Sequence, residues 1–338
     1  MRVLKLFLLF ALLGGAAIAA DGWRALNQSI APPELPTTFV LERGQSWQSF
    51  VRRMRDQGWL EQPRDALYLR AWGRLSEQAR RIRSGEYRLE EAVTLTELLD
   101  MLVAGRVVQH DITFIEGWRL QDALEALRRH EAVRHTLPES AGEADAALRQ
   151  RLDIGAESAE GWFLPETYRF PRGTTDVAIL TRAHAAMEQA LSEAWDARRK
   201  DLPLDSPEEL LTLASIVEKE TGAAGERARV AGVFKRRLER GMRLQTDPTV
   251  LYGRDPERSG RLRRIDLVTD TPYNTYTRAG LPPTPICLPG RAALQATAQP
   301  AEGSALYFVS RNDGTHVFSD TLAEHNRAVD RYQRGDGQ

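Results

Sequence analysis

Cysteine is nearly missing from this 338-residue chain: Cys287 stands alone, which excludes an intramolecular disulfide and any Cys-rich zinc or iron–sulfur site. A surplus of one charge is missing as well. The 46 Lys+Arg face 47 Asp+Glu for a net charge of −1, so no global field draws the chain onto nucleic acid, and none is expected as a partner. Beyond residue 20 no apolar run is long enough to cross a bilayer. No Gly-x-Ser-x-Gly elbow or phosphate loop occurs. His130-Glu131 and His135 are spaced by five, about 140° around a helix, where a two-histidine zinc helix needs four. Neither a cofactor nor a metal is therefore expected. Internal repeats and low-complexity tracts are also lacking.

What is present suits a folded protein. Hydrophobic residues make up 42% and charged residues 28%, enough to bury a core, and the length allows two domains at roughly 100–200 residues each. The amino terminus opens with the basic head Met1-Arg2-Val3-Leu4-Lys5, followed by an uncharged run from Leu6 to Ala20 that Asp21 and Gly22 close. Two readings stay open. Ala17-Ile18-Ala19 resembles the small-x-small site of a cleaved signal peptide, whereas Trp23 suits the interfacial anchor of an uncleaved membrane helix. In both, the rest of the chain is exported.

Residues 1–22 are thus read as a membrane anchor and 23–36 as a spacer, since Pro32, Pro33 and Pro36 deny helix and ladder alike. From Thr37 the pattern reads strand, helix, helix, strand, helix: 37–41, a helix after the cap Ser46 with Trp47, Phe50, Val51 and Met54 at helical spacing, Arg64–Leu75, Gly85–Leu89, and Thr96–Ala104 ending at Gly105. This small domain covers 37–106, and a larger mixed domain covers 107–335. The fold class expected is α+β. Glu160 to Gly173, with four aromatics and no helical period, reads as a structured loop before a long helix over 175–199. Near the end, 305–310 and 315–318 pair as a hairpin, and a closing helix from Thr321 is expected to hold Glu324, His325 and Asn326 on a solvated face.

Chemistry is concentrated in one helix. Ser206-Pro207-Glu208-Glu209 is a strong helix start, and Gly222 stops it. With Leu210 at zero and about 100° per residue, the apolar arc runs from about 300° to about 100°; Lys219 points away and Glu220 falls outside, near 280°, but Glu218 falls near 80°, among the apolar side chains. Burial disfavours the charged carboxylate and raises its pKa, the condition a general acid at a glycosidic oxygen requires. The alternative is an ion pair with an arginine of the next helix, where Arg227, Arg229, Arg236 and Arg237 offer themselves. Downstream, Met242 to Gly253 interleaves polar and apolar side chains, including Gln245 and Asp247. Thr271 to Thr277 adds aromatic rings and the amide of Asn274, a lining suited to a hydroxyl-rich ligand. Gly280 to Pro285 is too rich in proline for helix or central strand.

The runs Leu213-Ala214-Ser215-Ile216-Val217-Glu218-Lys219-Glu220-Thr221, Arg240-Gly241-Met242-Arg243-Leu244-Gln245-Thr246-Asp247-Pro248-Thr249, Tyr273-Asn274-Thr275-Tyr276 and Gly280-Leu281-Pro282-Pro283 together resemble the endolytic murein transglycosylase family, also called YceG-like. Glu160-Gly161, Leu164 to Tyr168, Gly314 to Phe318 and Glu324-His325-Asn326 add to the likeness. The resemblance implies a single-pass protein of the bacterial inner membrane with a LysM-like subdomain near 37–106 and a catalytic domain in the periplasm. It implies peptidoglycan as substrate, cut within the glycan strand at the MurNAc–GlcNAc β-1,4 bond to leave a 1,6-anhydro end, with Glu218 as catalytic residue. Termination of nascent strands and association with peptidoglycan synthases are further implications. Glu166, Gln245, Asp247 and Asn274 are the candidates for holding substrate. A hydrolytic muramidase that uses a second carboxylate such as Asp247, and a non-catalytic scaffold that binds glycan or synthases, are the rival expectations.

Overall fold

The computed structural model describes residues 2–30, 32–60, 62–254 and 262–333. Met1 of the expected anchor, Ala31 of the expected spacer, and 255–261 and 334–335 of the expected larger domain lie outside the described residues. The architecture is mixed α+β with an amino-terminal apolar helix. Among the described residues the strands form only two-stranded ladders, so helices supply most of the packing. Two compact units emerge: the chain through His110 together with Arg169–Gly173, and Asp111–Tyr168 together with the chain from Thr174 onward.

The first unit begins with the helix Arg2–Asn27, whose segment from Val3 is long and apolar enough to cross a membrane. The spacer expected from Trp23 is helix as far as Asn27. Ala25 and Leu26 are buried, so packing extends the helix where composition alone suggested a break. Ser29–Ile30 then pairs antiparallel with Val93–Thr94. Thr37–Leu41 pairs antiparallel with Gly85–Leu89, and Phe39 stacks on Tyr87 across the ladder at 5.6 Å. The helix Trp47–Asp56 starts where the Ser46 hydroxyl accepts the Ser49 N–H at 3.2 Å, and it buries Trp47, Phe50, Val51 and Met54, the set its spacing predicts. Leu95–Ala104 has a capping box between Thr94 and Glu97 and ends at Gly105 in the left-handed region.

In the second unit the helix Pro207–Glu220 is the central element. It packs against Asp176–Asp196, Arg227–Glu239, Asp247–Gly253 and Arg291–Ala298. Every residue from Leu210 to Val217 is buried, including Thr212, Ser215 and Ile216. The one-sided arc read from the sequence is therefore too narrow, because a helix covered on all sides carries no apolar stripe. Ser215 satisfies its own hydroxyl on the Thr212 carbonyl and takes the Ile286 N–H at 3.0 Å, while the Cys287 thiol donates to its carbonyl. The proline-rich loop is thus tied to the central helix, and buried polar atoms are matched. Thr167–Pro171, expected as loop, is strand, and Tyr307–Ser310 with His316–Ser319 forms the expected hairpin.

Two glycines separate backbone strain from crowding. Gly161 has φ +85°, and a Cβ there would lie 2.4 Å from Pro285 Cβ, whereas Gly241 has φ +62° with open space around it. Gly241→Ala is expected to cost about 1 kcal/mol for left-handed backbone alone. Gly161→Ala adds overpacking of about 1–3 kcal/mol. Urea denaturation of the two variants against the parent measures the difference.

Candidate functional site

Ser206 accepts the Glu209 N–H at 3.3 Å and Pro207 occupies the first turn, so the central helix starts where the sequence predicts and delivers its last turn, with Glu218 and Glu220, to the edge of the apolar packing. Two residues apart on a helix is about 200°, so the two carboxylates face different surroundings. The Glu218 side chain is only 5% exposed. It lies 3.4 Å from Arg227, takes the Gly290 N–H at 3.0 Å, and shares Arg227 with Glu116 at 3.7 Å. Arg227 is the arginine partner that the sequence left open. Gly290 caps the helix Arg291–Ala298, so Glu218 sits at a helix N-terminus, which favours negative charge. Even so its pKa is raised, first by burial and further by Glu116, with Gly290 and Arg227 opposing.

Glu220 turns into an open cavity of about 550 Å³. The Thr246 hydroxyl donates to its carboxylate. Burial, assisted by Asp247, pushes its pKa up to about 7 against the opposing effects of Thr246, His316 and Arg237. Asp247 lines the same cavity and accepts the Tyr276 hydroxyl at 2.6 Å. Gln245 lines it too, in the left-handed region at φ +50°, with its N–H on the Thr275 carbonyl at 3.1 Å. On the hairpin side His316 reaches the cavity while its Nδ1 meets Glu226 at 2.7 Å. His325 and Asn326 also line the cavity. His325 stacks on Tyr307 at 5.2 Å and is half-buried, which corrects the expectation of a solvated face for this residue.

Of the residues chosen from sequence, the cavity gathers Gln245 and Asp247. Glu218 is not among its lining residues. Glu166 is half-exposed and pairs with Arg291 at 3.1 Å. Asn274 is fully buried: its amide nitrogen donates to the carbonyls of Asp266 and Thr269 and its oxygen accepts the Tyr276 N–H, so it shapes the loop that carries Tyr276 and offers nothing to a ligand. The sequence wheel placed Glu220 outside the apolar arc and a strand histidine carries no spacing signal, yet the structure puts both Glu220 and His316 on the cavity wall. A separate buried carboxylate, Glu160, accepts the Leu120 N–H at 2.9 Å and the Tyr252 hydroxyl at 3.4 Å; burial pushes its pKa up to about 7.

The sequence profile of the YceG-like family matches residues 39–331. A protein named endolytic murein transglycosylase from Bacillus subtilis (strain 168) is 37% identical over 173 residues, 51% of this chain and 48% of that protein. One of the same name from Streptococcus pneumoniae serotype 2 (strain D39 / NCTC 7466) is 33% identical over 205 residues, 57% of this chain and 34% of that protein. The chain spans about half the length of the first of these relatives and about a third of the second. A crystal structure of the yceG-like protein lmo1499 from Listeria monocytogenes superposes with a TM-score of 0.55 at 27% identity, covering 86% of this chain and 98% of that one.

Raised carboxylate values fix the sign of a stability effect. Glu160 keeps its proton in the fold up to about pH 7 but loses it near the ordinary glutamate value of ~4.3 when unfolded. The stability it contributes is therefore complete below the unfolded value and is lost as pH rises through the folded one. Glu160→Gln should flatten the decline between pH 4.5 and 7 and leave the protein more stable than its parent at pH 8, by roughly 1–3 kcal/mol, with little difference at pH 4. Urea midpoints at the three pH values test this.

Proposed function

Since the chain belongs to the YceG-like family, we propose that it is a peptidoglycan lytic transglycosylase that cuts the MurNAc–GlcNAc β-1,4 bond inside glycan strands, with a carboxyl group of the Pro207–Glu220 helix as both acid and base. The observation that carries this reading is Glu220: a carboxyl with a pKa of about 7, open to a polar cavity that also holds Gln245, Asp247, Tyr276 and His316. Glu218, the residue singled out from sequence, remains the alternative donor: both glutamates are buried with raised pKa values, Glu218 is held by Arg227, and Glu220 is the one of the two that lines the cavity. A carboxyl that titrates near neutrality is matched to proton transfer in both directions.

In the proposed reaction protonated Glu220 gives its proton to the bridging oxygen as the C1–O bond breaks. The resulting carboxylate takes the proton of the muramic C6 hydroxyl, whose oxygen closes on C1. The products are a free GlcNAc 4-hydroxyl and a 1,6-anhydro-MurNAc end, and no water is consumed. Asp247 orients Tyr276 through their 2.6 Å hydrogen bond, leaving the tyrosine ring as one wall of the cavity. Glu226 holds Nδ1 of His316, so Nε2 is the nitrogen left to face the ligand.

The amino-terminal helix supports a single-pass anchor in the inner membrane, with both units in the periplasm and the catalytic domain from about 107 onward. Segment 37–106 is proposed as a LysM-like, glycan-binding subdomain. Contact with peptidoglycan synthases and a role in ending nascent strands complete the reading. One observation favours a second mechanism: Asp247 shares the cavity with Glu220, as the water-activating carboxylate of a muramidase would.

Digestion of purified peptidoglycan by the full chain in detergent, followed by mass spectrometry, is expected to give 1,6-anhydro ends. Reducing ends carrying oxygen from labelled water would instead favour hydrolysis through Asp247. Glu220→Gln should lower turnover by about 10²–10⁴-fold while glycan binding persists. If Glu220→Gln retained turnover and Glu218→Gln lost it to that extent, the proton would belong to Glu218.

A further inference from the structure

The helix Pro63–Leu75 has two apolar faces, one buried in the first unit and one only partly covered. Ala66, Leu69 and Gly73 are buried in the first unit. On the other side Leu67 is 64% exposed, Trp72 40% and Leu75 81%. Taking about 100° per residue with Leu67 at zero, Ala71, Leu75, Tyr68 and Trp72 follow near 40°, 80°, 100° and 140°, with Arg64 near 60° and Arg74 near 340°. The one acidic residue of the helix, Asp65, falls near 160° at the edge of this stripe and is buried. Leu67, Ala71, Trp72 and Leu75 are therefore the exposed apolar side chains of the stripe, with exposed Arg74 beside them.

The amino-terminal helix fixes what lies beside this stripe. Asp21 is the first charge after the uncharged run Leu6–Ala20. The Tyr68 hydroxyl donates to it at 2.9 Å, and Arg64 pairs with it at 3.4 Å. At Gly22 a Cβ would lie 3.2 Å from the Tyr68 ring, so the ring lies against the helix backbone. With a rise of 1.5 Å per residue, Arg64 and Tyr68 are held within about one helical turn of the end of the uncharged run. Trp23, 71% exposed, stands at the same level. A rigid helix pinned there keeps its free apolar side at the depth where aromatic belts and snorkelling arginines are found.

We propose that the exposed face of Pro63–Leu75 lies in the headgroup layer of the same bilayer, as an in-plane amphipathic helix whose Arg74 meets anionic lipid. The inference rests on the reading of Arg2–Asn27 as an uncleaved membrane span. Continuity with the span and charge complementarity select a lipid surface as occupant. The first unit then stands on the membrane at two places, and its tilt is set by the anchor and the in-plane helix together.

The full chain, reconstituted in vesicles of phosphatidylethanolamine and phosphatidylglycerol at three to one, carries a nitroxide at Leu67→Cys, Leu75→Cys, Leu12→Cys or Arg43→Cys in separate preparations. Cys287 is buried, and the parent chain serves as the labelling blank. Relaxation by oxygen against a water-soluble nickel chelate reads depth. The expected oxygen-to-nickel ratio at Leu67 and Leu75 is several-fold above that at exposed Arg43. Ratios at both positions equal to that at Arg43, with Leu12 deep in lipid, would overturn the in-plane helix and leave the anchor standing. An aqueous signal at Leu12 would remove the anchor itself, and this inference with it.

Discussion

Everything at the candidate site depends on the cost of taking a carboxylate out of water at the end of a fully enclosed helix. From Leu210 to Val217 the central helix is surrounded by four others, and no polar side chain there meets solvent. The last turn is the first place where charge can be accommodated, and three charged residues, Glu218, Lys219 and Glu220, arrive together. Lys219 reaches the surface and donates to the Gly117 carbonyl at 3.2 Å. The two glutamates stay against the packing and need other means of support.

Those means differ. Glu218 is compensated by a guanidinium and a backbone N–H at a helix start, the ordinary way to keep a buried carboxylate. Removing either partner would leave charge uncovered, so the cluster of Glu116, Glu218, Arg227 and Gly290 holds the ends of three helical segments together. Glu220 has one hydroxyl donor and no ion pair among its hydrogen bonds. Its nearest strong cation, Arg237, is committed elsewhere: it donates to the Leu306 carbonyl at 2.7 Å and to the Leu244 carbonyl at 2.6 Å, and lies 5.1 Å over the Tyr307 ring. Arg237 therefore fastens the hairpin to the helix and lowers the pKa of Glu220 only through space. The balance leaves the proton near neutrality.

Local signals in the sequence were sufficient wherever one element met one core. The caps at Ser46 and Ser206, the Trp47–Phe50–Val51–Met54 spacing and the terminal hairpin were all legible, because each is set by residues close in sequence. The failures share a physical cause. A helix with neighbours on every side defeats a wheel, which found Glu218 against the packing but gave no sign that Glu220 would line the cavity. Asn274 looked like a ligand because an amide between aromatics reads as available, yet the chain turns its own carbonyls onto it. His325 looked solvated because the ring that covers it, Tyr307, lies eighteen positions earlier on another element. Gln245 and the helix-starting Asp247 share the cavity because exposed and buried residues alternate from Arg243 to Asp247, a pattern visible in the sequence.

The amino-terminal segment shows the same limit from the other side. Three prolines within 32–36 argue for an extended spacer, and the argument holds for those residues. It does not reach back to Trp23, because helix propagation is cheap once a long nucleus exists and Ala25 and Leu26 gain burial by staying helical. A flexible joint directly after the uncharged run would have let the rest of the first unit move independently of the apolar helix. Helix through Asn27, Tyr68 and Arg64 on Asp21, and the Ser29–Ile30 ladder on Val93–Thr94 replace that joint with a packed one. A unit attached in this way takes its orientation from the long apolar helix, and that orientation is set by packing.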